Sequence, residues 1–530
     1  MTTGYCAFVL HAHLPFVRHP ERDDCLEERW LFEANTECYL PLLETLEGLR
    51  NEGIPFRLTV SLSPTLLAML DDPLLRKRYR RHLAALVQLA DREVELTKGW
   101  PEHNVARWYQ HHLHAIYKLY TERFHQDIVA GFHSLAKDGY LELITCGATH
   151  GFLPLMQHQP EAVRAQIQVA CEEFRRRWGH PPRGFWLPEC GYFPGVDKFL
   201  KEAGVQYCIV EHHGLAHARP AAKRGVFSHA WTPSGIAVFG RDVGSSKQVW
   251  SADEGYPGDP SYREFYRDVG WDRDPQHLGR LAAPNGVRAF TGLKYHKVTG
   301  PTDSKDLYDR WAAEQTAMRH ARHFVHERAR QVAVIQGILT DGPPPVIVSP
   351  YDAELFGHWW FEGPYFIGQV ARAAAEHPGL EFITPGDYIS RHDEGQGVLE
   401  PSYSSWGYQG YADFWLDGAN HWMYRHMHGV ADRMVDLARR NPNPTETVRR
   451  ALNQAARELL LAQSSDWAFI LKTGTATDYV WQRFHNHAGR FAAIDDALNN
   501  GEELNPRWLA QVEAADNVFP TIDYRVYTPS

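Results

Sequence analysis

A chain of 530 residues with 44% hydrophobic, 23% charged and 12% aromatic content has the composition of a folded globular protein, which excludes intrinsic disorder, collagen and coiled coil. Its net charge of −10 argues against a nucleic-acid partner, because phosphate binding needs a basic surface. No run of about 18 apolar residues occurs, so no membrane-spanning helix is expected. Residues 4–10 (GYCAFVL) read as a continuously apolar strand of the kind buried on both faces. Met1-Thr2-Thr3 leads directly into it without a basic leader or a following cleavage site, so no secretory signal is expected. Similar runs follow at 56–60, 141–145, 184–187, 207–210, 287–291, 346–349 and 380–383. Helical patterns lie between several of them, as at 162–178 and 306–337. Strands alternating with helices predict a parallel β/α architecture, and seven or eight of them suit a barrel better than an open sheet.

Three stretches depart from that alternation. Residues 73–135 carry two amphipathic helical patterns and read as a helical insertion after the second strand. Residues 212–285 are rich in Gly, Pro and aromatics, and a connection this long is uncommon without a function. Beyond about 396 strand patterns stop, and helices are predicted at 406–440, 444–463, 474–499 and 506–515. The expected organisation is a catalytic barrel over 1–395, the 73–135 insertion within it, and a helical domain over 396–530. Seven cysteines at 6, 25, 38, 146, 171, 190 and 208 form no CxxC pair, so reduced thiols and a cytoplasmic location are expected.

The polar residues that follow the predicted strands carry the chemistry. His11 and His13, His150, Glu189 and Asp352 all stand just beyond an apolar run, the rim where β/α barrels place their active sites. Leu187-Pro188-Glu189 and Ser349-Pro350-Tyr351-Asp352 share one arrangement: a strand, a proline, then an acid, with aromatics nearby. Such an acid either caps the next helix or points into a pocket, and two of them favour a carboxylate pair. A pair of this kind serves glycoside chemistry, in which one carboxylate attacks the anomeric carbon while the other protonates the leaving oxygen. At a separation of about 5–5.5 Å the outcome is retention through a covalent glycosyl–enzyme. The acid needs a raised pKa, for which Tyr351, Trp359 and Trp360 supply apolar surroundings. His11-x-His13 could bind metal, donate to sugar hydroxyls, or be satisfied by backbone carbonyls. The 17 tryptophans serve either as core or as platforms for sugar rings. Trp100, Trp108, Trp178, Trp422 and Trp481 read as packing, Glu354 and Glu362 as supporting groups, and Asp387 as a helix-start residue.

HAHLPF at 11–16, CGATHGFLPL at 146–155, WLPECGY at 186–192, YDAELFGHWWFEGP at 351–364 and the Trp-rich C-terminal region resemble, in order, the five conserved regions of glycoside hydrolase family 57. Residues 241–272 and SSDWAFIL at 464–471 are similar to its 1,4-α-glucan branching enzymes. The resemblance implies an incomplete (β/α)7 barrel with a helical insertion and an all-α C-terminal domain. It implies a cytoplasmic enzyme of glycogen biosynthesis, with an α-1,4-glucan substrate, no metal and no cofactor. The expected state is a monomer or small homo-oligomer, without nucleic-acid or membrane partners. Glu189 matches the family nucleophile and Asp352 the general acid/base. His11, His13 and His150 match residues that hold the sugar, Trp30, Trp271, Trp406 and Trp415 match aromatics of the glucan cleft, and Asp466 matches a polar residue reaching the same cleft. One departure stands out. Branching members carry a tyrosine on a mobile loop over the active site, whereas the corresponding segment here, 216–235, has no Tyr and offers only Phe227 and Trp231. An α-amylase or a 4-α-glucanotransferase of the same family is therefore the alternative activity. Two readings from other classes are a metal-dependent hydrolase such as a polysaccharide deacetylase, using His11 and His13, and a non-catalytic glucan-binding protein.

Overall fold

The computed structural model describes residues 3–251, 254–282 and 287–529. Its strands are β1 (Gly4–Ala12), β2 (Leu58–Leu62), β3 (Leu141–Cys146), β4 (Gly184–Trp186), β5 (Tyr207–Val210), β6 (Ala230–Trp231), β7 (Ala237–Gly240), β8 (Val346–Asp352) and β9 (Leu380–Phe382). Among the described residues they form one curled sheet in the order β6-β7-β5-β4-β3-β2-β1-β8, with β9 also on β1. Seven of them, from β7 through β5, β4, β3, β2 and β1 to β8, run parallel. The two ends of this sheet approach each other: the Asp242 N–H donates to Val348 O, and the Val346 N–H to Phe227 O. The result is the expected incomplete (β/α)7 barrel.

Side-chain alternation explains both the apolar strands and the polar rim. Tyr5, Ala7 and Val9 of β1 fill the barrel interior with Ile144, Trp186, Ile209, Phe239 and Val348. Cys6, Phe8 and Leu10 point outward to the surrounding helices. A strand covered on both faces is apolar at every position until it emerges at its C-terminal end. Continuing the inward parity reaches His11 on β1 and His13 just past it, Ser61 on β2 and Ser63 just past it, Arg241 after β7, and Asp352 on β8. Register reinforces this: His11 pairs with Ser61 across β1–β2 and with Asp352 across β1–β8.

The insertion after β2 carries the helices Pro73–Leu96, His103–Lys118 and Ile128–Lys137, and residues 254–282 and 287–309 fold against it. Glu93 of the insertion is fully buried and receives Arg273, His277 and the Tyr295 hydroxyl at 2.6 to 2.9 Å. The 287–291 segment, expected as a strand, is irregular. The N–H groups of Thr291 and Gly292 bond the Asp268 carboxylate, which replaces a strand partner.

The C-terminal helices are His421–Arg440, Glu446–Ala462, Ser465–Thr473, Thr477–Asn500 and Pro506–Ala515. The helix expected from 406 begins only at His421. Gln409 and Gly410 take positive φ of 59° and 83°, and Asp417 and Asn420 turn their side chains onto nearby backbone N–H groups. Both features oppose helix formation. The irregular stretch lies along the barrel rim, where the Trp406 N–H donates to Glu189 O and Ser404 bridges to Tyr192. A second seam joins Gly151 to Ser464, and the Ser465 N–H donates to His150 O.

The segment 216–235, expected over the active site, starts on the C-terminal side of β5, where Arg219 pairs with Glu400, and carries its two large aromatics to the opposite end of the barrel. Phe227 bonds the first residue of β8, and Trp231 pairs with Ala237, the first residue of β7, while its indole N–H donates to Asp393 O. Strand starts are the closed end of a parallel barrel, so neither aromatic reaches the rim and neither stands in for the loop tyrosine.

Candidate active site

At the C-terminal ends of the strands lies a cavity of about 560 Å³, lined by His11, His13, His150, Glu189, Arg241, Asp352, Glu354, Trp406, Asp466 and a set of apolar side chains. These nine residues converge from β1, β3, β4, β7, β8 and the C-terminal region. Eight of the ten expected site residues, Glu189, Asp352, His11, His13, His150, Trp406, Trp415 and Asp466, thus line one cavity.

Glu189 sits on a strained turn. It and Cys190 have φ of 60° and 51°, and His150 has 58°, a left-handed region that costs side chains with a Cβ energy and that recurs at functional sites. The turn aims the carboxylate inward, where the Trp406 indole N–H donates to Oε2 at 2.7 Å and the Ser465 hydroxyl donates to Oε1 at 3.1 Å. Burial pushes the Glu189 carboxyl up to about 7; the Trp406 hydrogen bond opposes that shift and the Asp352 charge adds to it.

Asp352 lies in a different environment. Burial drives its carboxyl well above the ordinary range, with the nearby Glu354 charge acting in the same direction and Arg241 against it. Among the described residues no side chain donates a hydrogen bond to it, whereas Glu189 receives two. Donors favour the ionised form and bare burial favours the protonated form, so the two acids are driven toward different protonation states.

The histidines form a stacked set. His13 lies over His150 with centroids 4.0 Å apart, and His11 lies against Trp186 at 5.0 Å. His13 Nε2 contacts Asp466 Oδ2 at 3.0 Å, and its Nδ1 contacts Ser63 Oγ at 2.9 Å. Burial alone would raise the Asp466 carboxyl, but His13, with His150 and the Ser464 hydroxyl, outweighs it and holds the group at about 2. Glu354 accepts from the His13 N–H and from the Tyr39 hydroxyl, and burial lifts it to about 7. Tyr39 ends a π-helical turn, Ala34–Tyr39, whose extra residue turns this side chain toward the rim.

His13, His150 and Asp466 lie close enough to share an ion. Every ring nitrogen of His11, His13 and His150, however, faces a protein partner at 2.9 to 3.1 Å. The donor set is spent on mutual hydrogen bonds, which weakens the metal-dependent reading.

The expected aromatic platforms take different places. Trp406 donates to the candidate nucleophile and contacts Trp186 edge-on. Trp415 is only 1% exposed and stacks on Phe152 at 4.4 Å, so it backs the wall and offers no open face. Trp30 packs edge-on against Tyr479 away from the cavity lining. Trp271, 44% exposed, also lies outside the lining, but a row of rings (Phe290, Phe265 and Trp359) links it to the cavity wall. The open aromatic faces at the mouth belong to Trp359, Trp250 and Phe469, which the sequence reading did not single out as platforms. Arg241 was missed as well. It caps β7, bonds Glu211 at 2.9 Å and lies 5.5 Å from the Trp406 ring. Its signal was its position immediately after a short apolar strand. Of the tryptophans read as packing, Trp422 and Trp481 stack on each other at 4.1 Å. Asp387 pairs with Arg57 outside the cavity, as a helix-start residue does.

Comparison with known proteins agrees with this geometry. Residues 7–399 match the family model described as glycosyl hydrolase family 57, and residues 426–527 match that of the 1,4-alpha-glucan branching enzyme C-terminal region. A 1,4-alpha-glucan branching enzyme of Thermococcus kodakarensis is 32% identical over 97% of this chain and 77% of its own. The structure of the α-amylase AmyC of Thermotoga maritima is 41% identical, covers 99% of both chains and superposes with a TM-score of 0.92. A branching enzyme of Pyrococcus horikoshii is 31% identical over 100% of this chain and 97% of that one, with a TM-score of 0.89. The chain is a member of glycosyl hydrolase family 57.

Proposed function

We propose that the protein is a 1,4-α-glucan branching enzyme that cleaves an α-1,4 linkage and forms an α-1,6 linkage by double displacement with retention. The observation that carries this reading is the pair of acids in one cavity with opposite hydrogen-bond environments. Glu189, whose anion two donors favour, attacks C1 of the sugar in its ionised form, while Asp352, kept protonated by burial, gives its proton to the departing 4-oxygen. The glycosyl group is then an ester of Glu189. Asp352, now the base, takes the proton of an acceptor 6-hydroxyl, whose oxygen displaces Glu189 from C1 and completes the branch. His13, fixed by Asp466 and Ser63, lines the cavity and holds the Asp466 carboxylate at its wall, and Trp250 and Trp359 provide open faces for the glucan. Glycogen-type glucan is the proposed substrate, and the cytoplasm the proposed location. Seven buried free thiols suit a reducing compartment, and among the described residues no helix is long and apolar enough to cross a membrane.

One observation favours a second reading, hydrolysis. Transfer requires that water be kept from the glycosyl–enzyme, and both large aromatics of the segment expected to close over it lie at the other end of the barrel. The α-amylase relative shares the fold at the higher identity of the structures compared. Incubation with amylose, followed by debranching and a parallel reducing-end assay, separates the outcomes. New α-1,6 linkages with few reducing ends support branching. Reducing ends without branches support hydrolysis, and redistributed chain lengths with neither support transfer to a 4-hydroxyl. Glu189→Gln should abolish turnover while glucan binding persists; a chain that binds glucan without any turnover in its native form is a binding protein.

A further inference from the structure

Ser465 stands at the start of a C-terminal helix, yet it touches the candidate nucleophile at the barrel rim. It is 2% exposed and joins a line of buried polar atoms. Ser61 Oγ lies 3.1 Å from His11 Nδ1, His11 Nε2 lies 3.0 Å from His150 Nε2, His150 Nδ1 lies 2.9 Å from Ser465 Oγ, and Ser465 Oγ lies 3.1 Å from Glu189 Oε1. His150 itself stands 3.7 Å from that oxygen, so the serine mediates the contact.

The direction of each bond follows from the donor inventory. A carboxylate only accepts, so the single hydroxyl proton of Ser465 points to Glu189. The Ser465 oxygen then accepts from the His150 Nδ1–H. A neutral His150 has a bare Nε2, which accepts from the His11 Nε2–H, and the bare Nδ1 of His11 accepts from Ser61. We propose that Ser465 is a positioning residue that couples Glu189 to a one-way hydrogen-bond relay, Ser61–His11–His150–Ser465, whose two histidines hold opposite tautomers and whose dipoles all point at the carboxylate. The assignment of Glu189 as nucleophile rests on the proposed function; the relay itself does not. Such a chain polarises cooperatively in a low-dielectric site and favours the anion there. Burial, together with the neighbouring rings, lowers His11 and His150 well below the usual histidine range, in keeping with neutral rings. The other titratable or charged groups on the cavity around Glu189 are Asp352 from β8, Glu354 just after it, Asp466 from the C-terminal helix, His13 just past β1 and Arg241 just past β7.

Two measurements test the relay. Imidazole 15N NMR of the intact protein should show His11 protonated at Nε2 and His150 at Nδ1; the reverse pattern, or both rings protonated at Nε2, overturns it. In Ser465→Ala, kcat should fall about tenfold or more at pH 7 with KM nearly unchanged, and the acid limb of the kcat/KM profile should move up by about one to two pH units. Ser465→Thr, which keeps the hydroxyl, should restore both. An unmoved acid limb in an active Ser465→Ala overturns the proposal. Should that variant fail to fold, the tautomer measurement decides alone. The expected tautomers in a protein without glucan activity would uphold the relay and defeat the proposed function instead.

Discussion

Trp406 was expected as a sugar platform, but the structure makes it a donor to Glu189, and Trp406→Phe distinguishes the two roles. Phenylalanine keeps an aromatic ring against Trp186 and removes the 2.7 Å hydrogen bond from the indole N–H to Oε2. A hydrogen bond to a charged group contributes about 1.5–3 kcal/mol, and one pKa unit corresponds to about 1.36 kcal/mol, so the carboxyl should rise by about one to two units. Glu189 starts at about 7. At pH 7 about half the molecules then hold the anion in the native protein and about 1–10% in the variant, which corresponds to a loss in kcat/KM of roughly five- to fifty-fold. The loss should shrink as the pH is raised, because the anion is recovered. Steady-state kinetics on a soluble maltooligosaccharide between pH 5 and 9 reads both effects. A severalfold higher KM with kcat and the acid limb unchanged would refute the donor role and restore the platform.

Further outcomes follow from the same geometry. Glu189 binds its proton more tightly in the folded state than in the unfolded chain, so its ionisation costs stability that is absent below about pH 4.5 and fully present above about 7. Glu189→Gln should therefore raise the melting temperature at pH 8 and change it less at pH 5; calorimetry at the two values checks the sign. Asp466 has the opposite sign, since its carboxyl is held down near 2 and its contribution is present above about 3.8 and lost below. Asp466→Asn should destabilise by about 1–3 kcal/mol at pH 6, measured by denaturant unfolding, with the difference vanishing near pH 2. Gly357 has a φ of 121°, and a Cβ there would lie 1.9 Å from Glu37 O, so Gly357→Ala should cost at least about 3 kcal/mol or leave the protein insoluble. Prolonged dialysis against EDTA should leave glucan activity unchanged; lost activity that zinc restores would favour the metal-dependent alternative.

The barrel was legible because parallel strands buried on both faces are apolar at every position, and the two carboxylates were legible because each follows such a strand and a proline. The supporting polar groups were harder to see. Leu58-Thr59-Val60-Ser61-Leu62-Ser63 does alternate apolar and polar, and that period of two was the available signal that Ser61 and Ser63 turn inward. Ser465 had no comparable signal, since its contact with Glu189 spans 276 positions and depends on how the C-terminal helix docks. Trp250 and Trp359 were indistinguishable from core tryptophans by composition, and only their placement at the cavity mouth leaves a face open. Helical composition also misled at 406–420, where glycines and self-bonding Asp417 and Asn420 hold an irregular strap over the rim. Finally, family position suggested that 216–235 covers the site, but pairing with the first residues of β7 and β8 fixes its aromatics, Phe227 and Trp231, at the other end.

The most direct test of the account is to trap the glycosyl–enzyme with a 5-fluoro-α-glucosyl fluoride, digest the protein and locate the adduct by mass spectrometry. A covalent sugar on the side chain of Glu189 is the expected result. A sugar on any other residue, or turnover of the fluoride with inverted configuration and no adduct, would contradict it.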